Sequence, residues 1–433
     1  MSELPQRIKR LGVTIGTTHE ADLVHESTYV LSYLSDQADR PTASLLLPRS
    51  KILYQGVDLF PSMDMNLPEG YLFQRLVELH PKMPLTKMHL LALMGSNGIG
   101  RIGFTLEGHA PPPARIISKA SILQSSNKEE LFSELVRSYL STGAGISGVQ
   151  PKIMVPTRAA LPIPDLIVKT AGREFPHLAI NEYMCLAVAK EAGLDVPVFE
   201  LSDDGTILVL DRFDLDSEGR RLGFEDIAAL MGLRVNDRLS NRKYQGSYEA
   251  IAEVITIFSS DANADLKRFF EQVTLSVMLR NGDAHLKNFG MLYSNADDVR
   301  LSPVFDVVTT AIYQFERPGG VLSEDRTMAL KWLKGKTFAG KQYPTYEQLV
   351  DFAANICRGV PDPRITVEAI AQAMRVTLDR AVSDPRIRSD FLESMRRQWA
   401  FGLAYADEAG AAQTHQKASR QSKKPDSPDS KAS

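Results

Sequence analysis

The sequence predicts an α+β chain built in two lobes, with a small N-terminal α/β subdomain ahead of them and a mostly helical C-terminal lobe at the end. Three observations carry that prediction. Residues 11–110 alternate short apolar runs with leucines at helical spacing, residues 141–215 read as glycine loop, strand, helix and strand, and residues 216–410 keep a mostly helical period. A chain of 433 residues has room for two or three domains with sizeable cores. The expected divisions are 1–110, 111–215, 216–410 and a disordered tail at 411–433.

Composition narrows the class of protein. An apolar fraction of 43% and a charged fraction of 24% are ordinary for a globular chain, and a net charge of −3 sets up no global field of the kind that marks a nucleic-acid binder. Cys185 and Cys357 lie far apart, with no Cys or His near them at zinc-ligand spacing, so both read as thiols in a reducing compartment. The first ten residues lack the apolar core of a signal peptide, and no apolar stretch approaches the roughly 20 residues of a membrane span. A cytoplasmic location without membrane contact is the expectation.

In the first unit, Gly12–Ile15 and Ala43–Leu47 read as strands, while Leu72, Arg75, Leu76, Leu79 and His80 mark a helix. Leu85–Met94 reads as a second helix, followed by the turn Ser96-Asn97-Gly98-Ile99-Gly100 and a strand from Arg101 to Thr105. A glycine cluster of that kind can cradle a phosphate, but with no helix N-terminus after it a plain turn is the simpler reading. The run Ala110-Pro111-Pro112-Pro113-Ala114 is a stiff break suited to a linker. Beyond it, Glu129–Leu140 has Leu131, Leu135, Val136 and Leu140 along one side of a helix. The tail after 411 is rich in Ala, Gln, Ser, Lys, Pro and Asp and has no apolar period.

The densest chemistry lies in Arg280-Asn281-Gly282-Asp283-Ala284-His285-Leu286-Lys287-Asn288-Phe289-Gly290. Leu266, Phe269, Phe270, Val273 and Val277 before it predict a core-facing helix that Gly282 stops, leaving the polar group on a loop at the end of a rigid element. Asp followed five residues later by Asn is the spacing of a kinase catalytic loop, in which Asp orients the substrate hydroxyl and Asn holds magnesium. Lys287 would add positive charge at the transferring phosphoryl group and His285 would brace the loop. Alone, Asp-x-His-x-x-Asn also fits a hydrogen-bonded turn. A second signal favours chemistry: Asp306 is a lone carboxylate inside the apolar run Leu301–Val308, 18 residues after Asn288. A buried carboxylate needs a partner such as a metal, and this is where kinases place the second magnesium ligand.

Upstream, Ser141–Gln150 is a glycine-rich loop before a predicted strand at Lys152–Val155. Its small residues let backbone N–H groups approach phosphates, and it lacks the Gly-Lys-Ser/Thr of a Walker loop. Asp165–Lys169 reads as a strand carrying a lysine, and Glu182 sits early on the following helix, the pairing with which kinases hold the α- and β-phosphates. A snorkelling Lys169 beside a solvated Glu182 is the bland alternative. Ile207–Asp211, leading into Arg212-Phe213-Asp214, would supply free backbone groups as an adenine hinge.

In this order the pieces resemble the HipA-type kinases, the toxin half of bacterial HipBA-like toxin–antitoxin pairs, over roughly residues 10–410. The most specific matches are Ile146–Lys152, Asn181-Glu182-Tyr183 with Gly193–Pro197, Asp211–Asp214, Gly282–Phe289 and Leu301–Asp306; Met65–Gly70 also resembles the extra subdomain of full-length members. The resemblance implies a two-lobed protein-kinase-like fold, ATP and Mg2+, and phosphorylation of a serine on a protein substrate such as an aminoacyl-tRNA synthetase, with growth arrest or persistence as the result. It implies a helix-turn-helix antitoxin of HipB type as partner, through which DNA is contacted only indirectly. It also implies autophosphorylation in the glycine-rich loop. Related loops often read Ser-x-Ser-Gly or Ser-x-x-Gly; here Gly145 stands where the first serine can lie, so Ser147 is the expected site.

The expected catalytic residues are therefore Asp283, Lys287 and His285. The expected nucleotide-binding residues are Ser147, Gly148, Val149, Gln150, Lys152, Lys169, Glu182, Asp211, Phe213, Asn288 and Asp306, with Asn288 and Asp306 holding metal. Two other readings compete. Small-molecule phosphotransferases of the aminoglycoside or choline kinase kind use a similar loop, but usually place His where this chain has Asn281. A catalytically silent antitoxin-binding module is the other.

Overall fold

The computed structural model describes residues 4–109, 116–125, 128–142, 152–157, 164–170, 175–234, 240–317, 321–335 and 340–421. The expected linker at 110–114 and residues 143–150 of the expected glycine-rich loop, with Ser147, Gly148, Val149 and Gln150, lie outside them, while Ser141 and Thr142 belong to a helix rather than to the loop.

The N-terminal unit is an antiparallel sheet faced by helices. Its elements are β1 (Arg10–Ile15), β2 (Thr18–His25), β3 (Tyr29–Tyr33), β4 (Leu53–Gly56), α1 (Pro61–Asp64), α2 (Gly70–Leu79), α3 (Lys87–Met94) and β5 (Ile102–Thr105), with strand order β4-β3-β2-β1-β5. Alternation along β1 and β3 buries Leu11, Val13, Ile15, Leu31 and Tyr33 against Met63, Leu72, Leu76, Leu91 and Met94 from the helices. The strand expected at Ala43–Leu47 does not form. That segment folds around the buried Tyr33 hydroxyl, which accepts from the Ala43 N–H (2.9 Å) and donates to the Leu47 carbonyl (2.6 Å), so its polar backbone is satisfied without a ladder.

The next lobe holds α4 (Lys119–Gln124), α5 (Lys128–Thr142), β6 (Lys152–Val155), β7 (Leu166–Thr170), α6 (Leu178–Glu191), β8 (Phe199–Leu201) and β9 (Ile207–Asp211). Its four strands are antiparallel in the order β6-β7-β9-β8. Helix α6 is buried on nearly all sides, from Leu178 to Glu182 and from Met184 to Leu186, because it lies between this sheet and the helical lobe.

The C-terminal lobe comprises β10 (Gly223–Asp226), α7 (Ile227–Leu230), a 3-10 turn at Ser240–Tyr244, α8 (Tyr248–Phe258), α9 (Ala262–Met278), β11 (Gly290–Asn295), β12 (Asp298–Leu301), β13 (Gln314–Arg317), β14 (Val321–Glu324), α10 (Tyr346–Asn355), α11 (Pro363–Val382) and α12 (Ser389–Gln421). Helix α9 begins at an Asp261 cap on the Ala264 N–H, worth about 1 kcal/mol, and buries Leu266, Phe269, Phe270, Val273 and Val277 as their spacing predicts. Strands β11 and β12 form a hairpin pairing Met291 with Leu301, which carries the chain from the Asp283 loop toward Asp306. Residues 327–333, within the stretch of mostly helical period, are irregular, with a bridge from Lys331 to Ser247. Helix α12 runs to Gln421, past the boundary expected at 411, because its alanine- and glutamine-rich end is made of good helix formers. Among the described residues no helix is long and apolar enough to cross a membrane. Cys185 and Cys357 are both buried free thiols.

Candidate active site

Two lysines and two carboxylates meet where the β6–β7 sheet faces the C-terminal lobe. Lys152 and Lys169 are cross-strand partners, so both side chains leave the same face of the sheet. Lys152 donates to Asp306 Oδ2 at 2.9 Å. Lys169 donates to Asp306 Oδ1 and, at 2.5 Å, to Glu182 Oε1 on α6. Lys169 and Glu182 are 2% and 0% exposed, which excludes the bland reading of a snorkelling lysine beside a solvated glutamate. Burial opposes ionisation of Asp306, but the ammonium groups of Lys152 and Lys169 outweigh it and hold the carboxyl far below its usual range. Burial pulls Lys169 down; the charges of Asp306 and Glu182 outweigh that and raise it. Burial dominates at Glu182 and pushes its carboxyl up despite the Lys169 contact.

Asp306 itself has φ +51°, a left-handed backbone uncommon outside glycine, which Asp tolerates better than most and which its surroundings hold in place. Those surroundings are visible. Asn181 on α6 donates to the Thr309 carbonyl (3.0 Å) and accepts from the Thr309 N–H (2.8 Å), and the Trp399 indole of α12 donates to Thr309 Oγ1 (2.8 Å). On the other side, Asn288 Nδ2 donates to the Asp306 carbonyl at 3.4 Å and to the Asp283 carbonyl at 2.8 Å. One amide thus ties the two turns together. The oxygens of Asn288 and Asp306 are hard donors of the type magnesium takes.

The Asp283 loop opens differently from the sequence expectation. Helix α9 ends at Met278, and Arg280, not Gly282, takes the left-handed turn, with φ +57° and its guanidinium stacked 3.8 Å from the Tyr343 ring centre. Gly282 is required for space: a Cβ there would lie 2.4 Å from Asp325 Oδ2 and 2.6 Å from the Thr327 carbonyl. Asp283 Oδ1 accepts from the Tyr244 hydroxyl at 2.7 Å, and its N–H donates to Asn281 Oδ1 at 3.1 Å. His285, expected to brace the loop, contributes its backbone to the turn: its N–H donates to the Asp283 carbonyl and its carbonyl accepts from the Asn288 N–H. It is buried with its ring edge-on to Tyr244 at 5.1 Å, and burial pushes its pKa down to about 4, so it is neutral near pH 7.

Three expected site residues take other places. Lys287 does not extend toward Asp306; its ammonium donates to Glu69 Oε1 (2.6 Å) and the Met65 carbonyl (3.2 Å) of the N-terminal unit. The Asp211 carboxylate pairs with Lys119 at 2.9 Å. The Asp211 N–H donates to the Val198 carbonyl and the Arg212 N–H to the Asp165 carbonyl, so the free hinge donors expected at this strand end are not those two. Phe213 packs beside Phe305 (5.1 Å between ring centres) and Phe224 (5.5 Å), forming an aromatic floor next to Asp306.

The neighbouring Arg212 and Asp214 explain the glycine cluster of the N-terminal unit. Arg212 grips Asp214 through two bonds (2.9 and 2.6 Å), Asp214 accepts from the Gly100 N–H (2.6 Å), and Arg212 and Arg221 donate to the carbonyls of Gly98, Gly100 and Ile102. The 96–100 turn is therefore a docking element for the rest of the chain. Glu225 adds a second weld, accepting from the Ser44 hydroxyl and the Leu45 N–H at 2.7 Å each. Sequence reading missed Glu69, Tyr244 and the Asn181 lock. Glu69 and Asn181 lie within segments that resemble the family, and Tyr244 does not.

Comparisons with known proteins agree with this architecture. Residues 11–105 match the model of the HipA N-terminal domain and residues 144–382 that of the HipA-like C-terminal domain. Among curated proteins the chain is 26% identical over 328 residues to Y4dM of Sinorhizobium fredii, provisionally named a kinase, covering 68% of this chain and 74% of that one. It is 29% identical over 188 residues to a Haemophilus influenzae protein also provisionally named a kinase, covering 40% and 54%. Among solved structures, HipA from the Shewanella oneidensis HipA–HipB–operator DNA complex superposes with a TM-score of 0.66 at 18% identity, over 92% of this chain and 97% of that one. The superposition extends through both lobes and the N-terminal unit, and the family model spans more than half of the sequence. The chain belongs to the HipA-like family.

Proposed function

We propose that this chain is an ATP- and Mg2+-dependent serine/threonine protein kinase, the toxin of a pair whose antitoxin is a helix-turn-helix protein of HipB type. The observation that supports this best is the convergence of Lys152, Lys169, Glu182, Asn288 and Asp306 beside Asp283. Lys152 and Lys169 would hold phosphate oxygens of the nucleotide, and Asp306 and Asn288 would hold the metal. Magnesium supplies neutralisation of the triphosphate charge. Asp283 then orients the incoming hydroxyl and receives its proton. The kinase names of the relatives, and the HipB and operator DNA that accompany the Shewanella structure, support the activity and the partner by similarity. In this reading an aminoacyl-tRNA synthetase is the protein substrate, DNA is contacted through the antitoxin, and Ser147 is the autophosphorylation site.

The test is transfer from γ-labelled ATP together with a binding measurement. Asp283→Asn should abolish transfer and leave Mg-ATP binding within about twofold, whereas Asp306→Asn should weaken both. Transfer by Asp283→Asn at the wild-type rate refutes the assigned base. Labelling of antibiotics or amino alcohols, with no labelled protein, favours a small-molecule phosphotransferase. Phosphopeptide mapping tests Ser147.

A further inference from the structure

The loop that carries Asp283 and Asn288 is gripped from outside its own lobe. Glu69 precedes α2 as its cap residue, yet its carboxylate makes no capping bond to that helix. It lies instead between two ammonium groups, 2.6 Å from Lys287 and 3.8 Å from Lys243, all three side chains being about nine-tenths buried. Lys287 is the residue immediately before Asn288. Lys243 is the residue immediately before Tyr244, whose hydroxyl holds Asp283. Tyr244 is fixed in turn: Lys341 donates to its carbonyl at 3.1 Å, and Lys243 and Lys341 each lie 5.5 Å from its ring centre. A single carboxylate of the N-terminal unit therefore reaches the base by one route and the metal-binding amide by the other.

Resting on the kinase reading above, we propose that Glu69 is a positioning residue for phosphoryl transfer. Through Lys287 and through Lys243–Tyr244 it sets the Asp283 carboxylate and the Asn288 amide, which makes the N-terminal unit part of the catalytic machinery. Lys287 acts on this account as a strut, not as a charge on the phosphoryl group. A buried ion triad suits that task, because its geometry is sharply defined and removal of the central charge leaves two ammonium groups facing each other. Errors of about 1 Å in placement cost on the order of a hundredfold in rate.

The experiment uses the full chain and Glu69→Gln, which keeps the side-chain length, with two readouts. The first is hydrogen exchange of backbone amides. Exchange should quicken at residues 240–244 and 282–289 while the amides of α9 and α11 keep their protection. The second is transfer from γ-labelled Mg-ATP to the chain itself and to water. Here kcat should fall roughly tenfold or more with KM for ATP changed less than about twofold, and Glu69→Gln should slow Lys287→Met by a smaller factor than it slows the wild type, because one of its two routes is already gone. A merely structural Glu69 would instead raise exchange throughout the N-terminal unit and leave kcat per folded molecule unchanged, which overturns the proposal. Unchanged exchange at 282–289 in an active enzyme overturns it as well. A wild-type chain that transfers nothing, with or without quickened exchange, overturns the kinase reading and this catalytic role together.

Discussion

Removing the Lys169 ammonium should destabilise the protein by an amount that pH sets. In Lys169→Met the Glu182 carboxylate is left fully buried with its main partner gone, while Asp306 keeps Lys152. An uncompensated buried charge costs roughly 3–5 kcal/mol, but Glu182 has an escape, since it can take up a proton. The free-energy cost of protonating a carboxyl of ordinary pKa 4.5 is about 1.36 kcal/mol per pH unit above that value. Protonation therefore caps the loss at about 3.4 kcal/mol at pH 7 and at about 1.4 kcal/mol at pH 5.5. Urea unfolding of wild type and variant at the two pH values measures the difference. Adding Glu182→Leu to Lys169→Met should recover most of the loss at pH 7 and abolish its pH dependence, because an apolar pair replaces the orphaned charge. A destabilisation by Lys169→Met that is equal at both pH values would show that Glu182 is not the group left unpaired, and the assignment of this pair would fall.

Asp226 and His285 make opposite contributions to acid stability. Burial raises Asp226 to about 6, so its folded form holds a proton more tightly than the unfolded chain and stability from this group falls as pH rises from about 4 to 6. Burial lowers His285 to about 4, so stability from it falls as pH drops from about 6.5 to 4. Asp226→Asn, which keeps an acceptor for the Ala229 N–H, should gain roughly 3 kcal/mol at pH 7 and almost nothing at pH 4, a difference that denaturant titrations across that range resolve. Asp214→Ala leaves Arg212 buried without its carboxylate and should lose about 3–5 kcal/mol, with calorimetry showing the N-terminal unit melting ahead of the rest. Gly402→Ala would place a Cβ 1.9 Å from the Met278 carbonyl, so α12 must back away from the end of α9; the unfolding midpoint should drop by an amount equivalent to about 1–3 kcal/mol.

What the sequence by itself determined was everything that short-range order encodes. Helical spacing at 266–277 located the core face of α9, the apolar runs at 152–155 and 207–211 located β6 and β9, and the order of strand lysine and helix glutamate marked Lys169 and Glu182. A lone carboxylate in the apolar run 301–308 marked Asp306, because a buried charge there violates local pattern and so advertises a partner. The tertiary structure alone decided who that partner is. Lys152 and Lys169 reach Asp306 across more than a hundred residues of chain, and Lys287 turns to Glu69 across 218, choices that depend on how whole elements dock. The same reason explains the failures at Ala43–Leu47 and at Lys287. In both, a contact far along the chain satisfies polar groups that local pattern assigns elsewhere: the Glu225 carboxylate on Ser44 and Leu45 in the first, the Glu69 carboxylate on Lys287 in the second.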